Sequence, residues 1–223
     1  FQQQILPGGI WDTVTGRNDN FPATTVSIYG PDTDPAPDSS ALGGGSGVAP
    51  APNSQFNYPA YTDETTSNAP VDVRWINDLV DANGDFLPHL LPIDQTVHWA
   101  NPPQDCKVGS PRTDCAGVSQ AFYDGPVPIV THVHGAHVDA HSDGYPEAWW
   151  LPAAANIPDG YATSGGIFDD ATGTNPGNYG YADYSYRQDQ PATTLWYHDH
   201  TLGMTRNNVY AGPAGFWLIR GGS

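Results

Sequence analysis

Two short histidine pairs restrict the fold of this chain more than any other feature of its sequence. They are His132-Val133-His134 and His198-Asp199-His200, and they contain four of the eight histidines. Each pair stands at the end of an apolar run that contains β-branched residues. Residues i and i+2 of an extended strand point to the same face, so each pair directs two imidazoles to one side. The chain is therefore expected to contain two strands that end in paired histidines.

Composition favours an all-β fold around these strands. Glycine (25 residues) and proline (22 residues) are abundant, charged residues make up only 14%, and no long stretch shows helical periodicity. Seven or eight strands at irregular spacing predict a sandwich or barrel with long loops. The six clearest of these strands cover residues 24–29, 71–76, 96–99, 127–134, 192–197 and 215–220.

The sequence predicts one domain over residues 1–223, because strand patterns occur on both sides of each irregular stretch. Residues 1–23 are interpreted as an N-terminal extension. Residues 31–57 are rich in Gly, Pro and Ser, have little apolar content, and are predicted to form a surface insertion. Residues 142–190 are rich in Gly, Asp, Asn and Tyr and are predicted to be loop-like.

The net charge of −17 argues against some partners. A surface so acidic, with Lys107 as the single lysine, would repel phosphate backbones, so no nucleic-acid partner is expected. No apolar run approaches the roughly 20 residues that cross a bilayer, so no membrane span is expected.

The two cysteines, Cys106 and Cys115, flank a short polar loop and are predicted to form a local disulfide, with two free thiols as the alternative. Closing so short a loop would contribute roughly 2–3 kcal/mol in the chain-entropy model. A disulfide and a first residue, Phe1, that is not methionine favour a processed, exported protein. We expect a secreted, extracellular or cell-surface location, with the periplasm as the alternative.

Two histidine pairs predict a metal site, because neutral imidazole binds copper, zinc, iron and nickel. Zinc hydrolases and cupin-type proteins also use His-x-His. The hydrolases often continue with Asp-His, whereas this chain continues with Gly135-Ala136-His137. A cupin needs a third ligand, commonly a carboxylate, at short strand spacing, and none is found there. Neither alternative explains two pairs so far apart in the sequence.

The segments around both pairs resemble the first-domain copper motifs of the multicopper oxidases. The resemblance is greatest to the branch of bacterial spore-coat laccase, bilirubin oxidase and phenoxazinone synthase, and it covers about residues 60 to 220. It implies a Greek-key β-sandwich or barrel of the cupredoxin type. The insertion and the cysteine loop depart from the family pattern. The motifs are Thr-His-Val-His-Gly at 131–135, Ser-Asp-Gly-Tyr-Pro-Glu-Ala-Trp at 142–149, Leu-Trp-Tyr-His-Asp-His at 195–200 and Thr-Arg-Asn-Asn-Val-Tyr-Ala-Gly at 205–212, with weaker matches at 73–79 and 87–99.

The resemblance implies a role for each histidine in a trinuclear copper cluster that reduces O2 to water. His132 would bind the type 2 copper, and His134 and His198 would share one copper of the type 3 pair. His200 would bind the other type 3 copper.

Two acidic residues are also expected to act near the cluster, Asp143 because of the resemblance and Asp199 because it stands between two ligands on a strand. Asp143 occupies the position of an acidic residue that relays protons, and its alternative role is to support a turn before Gly144. Asp199 is expected to point to the opposite strand face and to accept hydrogen bonds behind the ligands.

A complete enzyme of this family needs four more histidines and a type 1 copper held by two histidines and a cysteine. Neither cysteine of this chain has a histidine neighbour. We therefore expect a second chain that carries the remaining cupredoxin domains and the type 1 copper. A small reductant (phenol-like, a pigment or a metal ion) would be oxidised there.

Two alternatives to an oxidase domain remain. One is a stand-alone copper-binding or carrier module without turnover, and the other is a structural assembly subunit with a degenerate site. The oxidase domain is favoured because the motifs are intact and the four histidines are divided as the family divides them between domains.

Overall fold

A computed structural model describes residues 2–6, 11–12, 17–18, 24–30, 59–106, 112–117, 119–169 and 180–221. The predicted insertion at 31–57 lies outside the described residues. Strands predominate within these ranges, and the sheets do not close on themselves, so the all-β prediction is confirmed as an open arrangement rather than a closed barrel. No helix in the described ranges combines the length and the apolar character that crossing a bilayer requires.

The strands are short, as expected for a chain rich in glycine and proline. In chain order they are β1 (Gln2–Leu6), β2 (Trp11–Asp12), β3 (Arg17–Asn18), β4 (Thr24–Ile28), β5 (Asp63–Thr66), β6 (Val71–Ile76), β7 (Ile93–Asp94), β8 (Phe122–Tyr123), β9 (Thr131–His134), β10 (Tyr181–Tyr186), β11 (Thr193–Asp199) and β12 (Ala214–Arg220). The helix α1 spans Thr205–Tyr210, and a 3-10 turn spans Ala140–Ser142.

A four-stranded sheet in the order β5-β12-β11-β9 is the frame of the domain. β5 runs parallel to β12, and the other neighbours are antiparallel. Side chains along β12 alternate as its sequence predicts: Trp217 and Ile219 are buried on the inner face, whereas Phe216 is exposed on the outer face. One face of the sheet therefore forms core and the other is open.

The pair β6–β10 packs against the inner face of this sheet, and β1 pairs separately with β4. Aromatic side chains join the two layers: the rings of Trp75 and Tyr197 lie 5.4 Å apart, and those of Tyr186 and Trp217 lie 5.0 Å apart. Trp75 donates its indole N–H to the hydroxyl of Tyr186 at 2.9 Å. Burial of such large rings is the main favourable term for a two-layer β fold.

Strand predictions at residues 24–29, 71–76, 192–197 and 215–220 are confirmed as β4, β6, β11 and β12. The strand predicted at 96–99 is wrong, because the Asp94 carboxylate accepts the Thr96 N–H at 2.8 Å and its hydroxyl at 2.6 Å, which forms a turn. The loop predicted over 142–190 is wrong at β10.

The apolar run 127–134 is buried as predicted along most of its length, but only residues 131–134 form a strand. Ile129 instead exchanges two backbone hydrogen bonds with Trp150 as an isolated bridge. Prolines around this run limit its ladder, since proline has no N–H to donate.

Cys106 and Cys115 form the predicted disulfide, with their Cα atoms 6.0 Å apart. The buried side chain of Asn101 lies against it and directs its amide nitrogen at both sulfur atoms. Asn101 therefore joins the disulfide to the buried part of the domain.

Candidate metal centre

The pairing of β9 with β11 brings the two histidine pairs together on the open face of the four-stranded sheet. His132 lies directly opposite His198 in the antiparallel register, and His134 lies opposite Trp196. His200 follows the end of β11, and its backbone N–H donates to the carbonyl of Val130 at 2.8 Å. The ring centroids are separated by 5.4 Å (His132–His134), 5.6 Å (His132–His198), 4.7 Å (His132–His200), 5.5 Å (His134–His198) and 5.7 Å (His198–His200).

Backbone carbonyls set the tautomer of three of the four rings. The Nδ1 of His132 contacts the carbonyl of Asp143, that of His198 contacts the carbonyl of Asp199 at 2.7 Å, and that of His200 contacts the carbonyl of Gly144 at 2.9 Å. A carbonyl only accepts, so each Nδ1 carries the hydrogen and each Nε2 keeps a free lone pair. This is the arrangement by which histidine ligands are held for a metal.

The fourth ring, His134, presents the opposite nitrogen. Its Nδ1 lies 3.3 Å from the Nε2 of His198, so two potential ligand atoms converge on one point. The ligand nitrogens of His132, His134 and His198 all lie within 4.8 Å of one another. The ring of His200 stacks on that of His132 with an interplanar angle of 24°. All four predicted ligands are therefore brought to one place.

Burial favours the neutral form of the inner imidazoles. It lowers the pKa of His198 to about 4 and lowers the pKa of His132, while the carbonyl hydrogen bonds of both rings oppose the shift. His134 is exposed. Neutral imidazoles around an open face suit copper, zinc, iron or nickel, so the donor set fits copper.

Asp143 and Gly144 hold the rings from a loop after β9. Gly144 has a φ of +79°, and a Cβ there would lie 2.2 Å from the carbonyl oxygen of Thr131, so the close approach requires glycine. The Asp143 carboxylate lies 3.6 Å from the Nδ1 of His132, and its side chain is 36% exposed. It therefore contacts both the histidine cluster and solvent.

Asp199 points away from the ligand nitrogens into the core, where it is fully buried. Its carboxylate accepts hydrogen bonds from Val130, Thr201 and Asn208. In many metal sites such a carboxylate instead accepts the N–H of a ligand imidazole. Burial raises its pKa to about 6, and the hydrogen bonds that it accepts oppose this rise.

Trp196 and Phe216 extend the open face beyond the histidines. They face each other across β11 and β12 and are 39% and 52% exposed. The indole of Trp196 stacks on the ring of His198 at 4.1 Å. We call Trp196 and Phe216 the apolar stripe. It was not predicted from the sequence, although the alternation of side chains along β11 and β12 places both residues on the outer face.

Comparisons with known proteins find several multicopper oxidases that are similar to this chain. A family model described as multicopper oxidase matches residues 171–223. A laccase from Bacillus stratosphericus is 35% identical over 164 residues, which cover 73% of this chain and 23% of that protein. A laccase from Bacillus subtilis (strain 168) is 31% identical over 163 residues, which cover 73% of this chain and 23% of that protein. This chain spans about a quarter of the length of these relatives.

The solved structure of a bacterial laccase-like multi-copper oxidase from Ochrobactrum sp. aligns with this chain over 74% of this chain and 21% of the Ochrobactrum protein. The TM-score is 0.38 and the identity 14%, so the assignment depends on the sequence relatives. The family model, the two laccases and the histidine motifs together confirm the resemblance first drawn from the sequence. The chain belongs to the multicopper oxidase family.

Proposed function

We propose that this protein is the first cupredoxin domain of a laccase-like multicopper oxidase and supplies four histidines to a trinuclear copper site. The observation that carries the proposal is the convergence of both His-x-His pairs on one open sheet face. The separation of 3.3 Å between Nδ1 of His134 and Nε2 of His198 is the most specific part of it. Two nitrogens so close, each able to present a lone pair, suit a single shared ion.

The tautomers suggest which atom of each residue binds. His132 would hold the type 2 copper through Nε2. His134 through Nδ1 and His198 through Nε2 would hold one type 3 copper, and His200 through Nε2 would hold the other. Copper bound there supplies the one-electron redox chemistry by which O2 is reduced to water. The carbonyls of Asp143, Gly144 and Asp199 keep the rings oriented, which lowers the entropy lost on binding.

Asp143 is the residue we propose as the proton donor. Reduction of one O2 to water consumes four protons, so a group near the cluster must exchange protons with solvent. The carboxyl group of Asp143 lies next to His132 and is partly exposed, which satisfies both conditions. Its negative charge also offsets part of the charge of the bound copper ions.

We propose that the other ligands come from another cupredoxin domain, on a longer chain or a separate subunit, that docks on the open face. The exposed apolar stripe, Trp196 and Phe216, supports a protein partner there, because such rings gain free energy when another surface covers them. The type 1 copper and oxidation of the phenol-like, pigment or metal-ion reductant would lie on that partner. The Cys106–Cys115 disulfide supports secretion or a cell-surface location.

Copper counting, a visible spectrum and oxygen uptake on the protein purified from its native source test the proposal. We expect a trinuclear site together with the blue absorption of a copper–thiolate site, and oxygen uptake with a phenolic reductant. His134→Ala should abolish oxygen uptake and leave the blue absorption in place, whereas His98→Ala, at an exposed residue outside the cluster, should change neither. Tight copper binding without oxygen uptake or a partner would contradict the proposal and favour a carrier.

A further inference from the structure

The ladder between β9 and β11 is only four residue pairs long, and it ends at the pair Asp199 and Thr131. His200 lies beyond it. The Asp199 side chain extends the pairing there, because its Oδ2 accepts the N–H of Val130 at 3.1 Å. The carbonyl of Val130 in turn accepts the N–H of His200 at 2.8 Å. Both backbone groups of Val130 are thus held by Asp199 and its neighbour.

The same carboxylate holds the turn that follows His200 and connects it to α1. It accepts the backbone N–H of Thr201 at 3.0 Å and the hydroxyl of Thr201 at 2.8 Å. It also accepts an N–H of the buried Asn208 amide at 2.8 Å. The amide nitrogen of Asn208 also donates to the carbonyl of Pro128 at 3.1 Å. Asn208 therefore bridges the segment before β9 and the end of β11.

His89 sets the orientation of the Asn208 amide. Nδ1 of His89 lies 2.8 Å from the amide nitrogen and 2.9 Å from the carbonyl oxygen of Leu91. The Asn208 amide presents its oxygen to the other ring nitrogen, and an oxygen only accepts, so Nε2 of His89 carries the hydrogen. That Nε2 lies 2.9 Å from Oδ1 of Asn208 and donates to it. The amide nitrogen of Asn208 is thereby directed at Asp199 and Pro128. Every donor in the chain from His89 to Asp199 has an acceptor, which makes the arrangement rigid.

We propose that Asp199, Asn208 and His89 form a positioning network that fixes the His198–His200 pair relative to the His132–His134 pair. None of the three is a metal ligand in the proposed site. Asn208 and His89 act through Asp199, and Asp199 acts through the backbone of Val130 and Thr201. The effect of the network on copper binding rests on the proposed function. The network itself does not, since its hydrogen bonds are present in the metal-free protein.

The network predicts how strongly a remote change alters metal binding. Asn208→Leu keeps a side chain of similar size and removes both amide donors and the acceptor. Loss of groups that orient metal ligands typically lowers affinity by about 10- to 100-fold. We expect a loss in this range for Asn208→Leu. His89→Gln keeps an N–H donor for Asn208 and should retain more affinity than His89→Leu.

Asn207→Leu is the matched control, because Asn207 precedes Asn208 on α1 and donates to Pro92 outside the network. The purified proteins are titrated with Cu2+, the bound metal is characterised by electron paramagnetic resonance, and folding is checked by circular dichroism. The wild type and Asn207→Leu should give the same affinity and hyperfine splitting, and Asn208→Leu should change both. A folded Asn208→Leu protein with wild-type affinity and spectrum would overturn the proposal. If Asn208→Leu does not fold, His89→Leu and His89→Gln are compared instead. His89→Leu should change the copper affinity and the hyperfine splitting more than His89→Gln does, and equal values for the two variants would overturn the proposal.

A metal-free measurement separates failure of this inference from failure of the proposed function. Amide hydrogen exchange of Val130 and Thr201 is measured in the wild type, Asn208→Leu and Asn207→Leu. If the wild type binds no copper but exchange accelerates at least tenfold in Asn208→Leu alone, the proposed function fails and the network stands. Equal exchange rates in all three proteins would overturn the network, whatever the copper result.

Discussion

Gly144→Ala is the substitution that most sharply separates backbone geometry from metal chemistry. Gly144 has a φ of +79°, and an added Cβ would lie 2.2 Å from the carbonyl oxygen of Thr131 and 2.9 Å from its carbonyl carbon. The carbonyl of Gly144 holds His200 at 2.9 Å, and the preceding carbonyl holds His132. A shift that relieves the contact must therefore move two of the groups that orient the ligands.

The magnitude follows from two separate effects. A non-glycine residue in the left-handed region costs about 1–2 kcal/mol. The contact with Thr131 adds about 1–3 kcal/mol, as for an overpacked core, because a Cβ at 2.2 Å forces the backbone to move. We expect Gly144→Ala to lower the free energy of unfolding by about 2–5 kcal/mol. Loss of the two carbonyl contacts should weaken copper binding by about 10- to 100-fold.

Gly84→Ala is the matched control. Gly84 has a φ of +80°, but an added Cβ there would meet no heavy atom within 4 Å. Only the backbone effect of about 1–2 kcal/mol should remain, with copper affinity unchanged. Urea unfolding gives both free energies and a Cu2+ titration gives both affinities. The reasoning is refuted if the two variants lose the same free energy and bind copper equally well.

Three further predictions concern the cluster, the open face and the network. Asp143→Asn removes the ionisable carboxyl group and should slow oxygen uptake by about 10²-fold at unchanged copper content; an unchanged rate would refute the proton role. Phe216→Glu places a charge in the apolar stripe and should weaken binding of the partner domain in sedimentation experiments, whereas Thr194→Glu, on β11 at the same face of the sheet, should not. Equal binding by both variants would contradict a docking role. Burial lowers the pKa of His89 below its ordinary 6.5, so the unfolded chain binds the proton first and the metal-free protein loses stability as the pH falls below about 6.5. Urea unfolding from about pH 7.5 to about pH 5.5 should show a smaller loss for His89→Gln, and an unchanged slope would contradict this.

Strands with strong alternation could be predicted from the sequence, and strands that depend on their partners could not. β6 and β12 place every second side chain on the buried face, so periodicity identified both. β5 has the sequence Asp-Glu-Thr-Thr and no apolar residue. It forms a strand only because β12 offers it a parallel edge, which no local pattern shows. β10 alternates Ala182, Tyr184 and Tyr186 toward the core, but its glycine- and asparagine-rich surroundings concealed it.

The four ligand histidines could be predicted because the His-x-His spacing and a strand together determine where the imidazoles point. The groups that orient them could not be predicted in the same way. The carbonyls of Asp143 and Gly144 act through backbone atoms, which carry no residue-specific signal apart from the glycine itself. The link between His89 and Asn208 joins residues far apart in the sequence, so only the folded chain shows it.

Anomalous diffraction at the copper edge from crystals of the copper-loaded protein tests the central claim most directly. We expect copper peaks about 2 Å from Nε2 of His132, His198 and His200, the usual distance between a metal and imidazole. The peak at His198 should also lie about 2 Å from Nδ1 of His134, because one ion is shared by the two rings. Copper peaks elsewhere on the protein, with none at this cluster, would contradict the assignment of the two histidine pairs to a copper site.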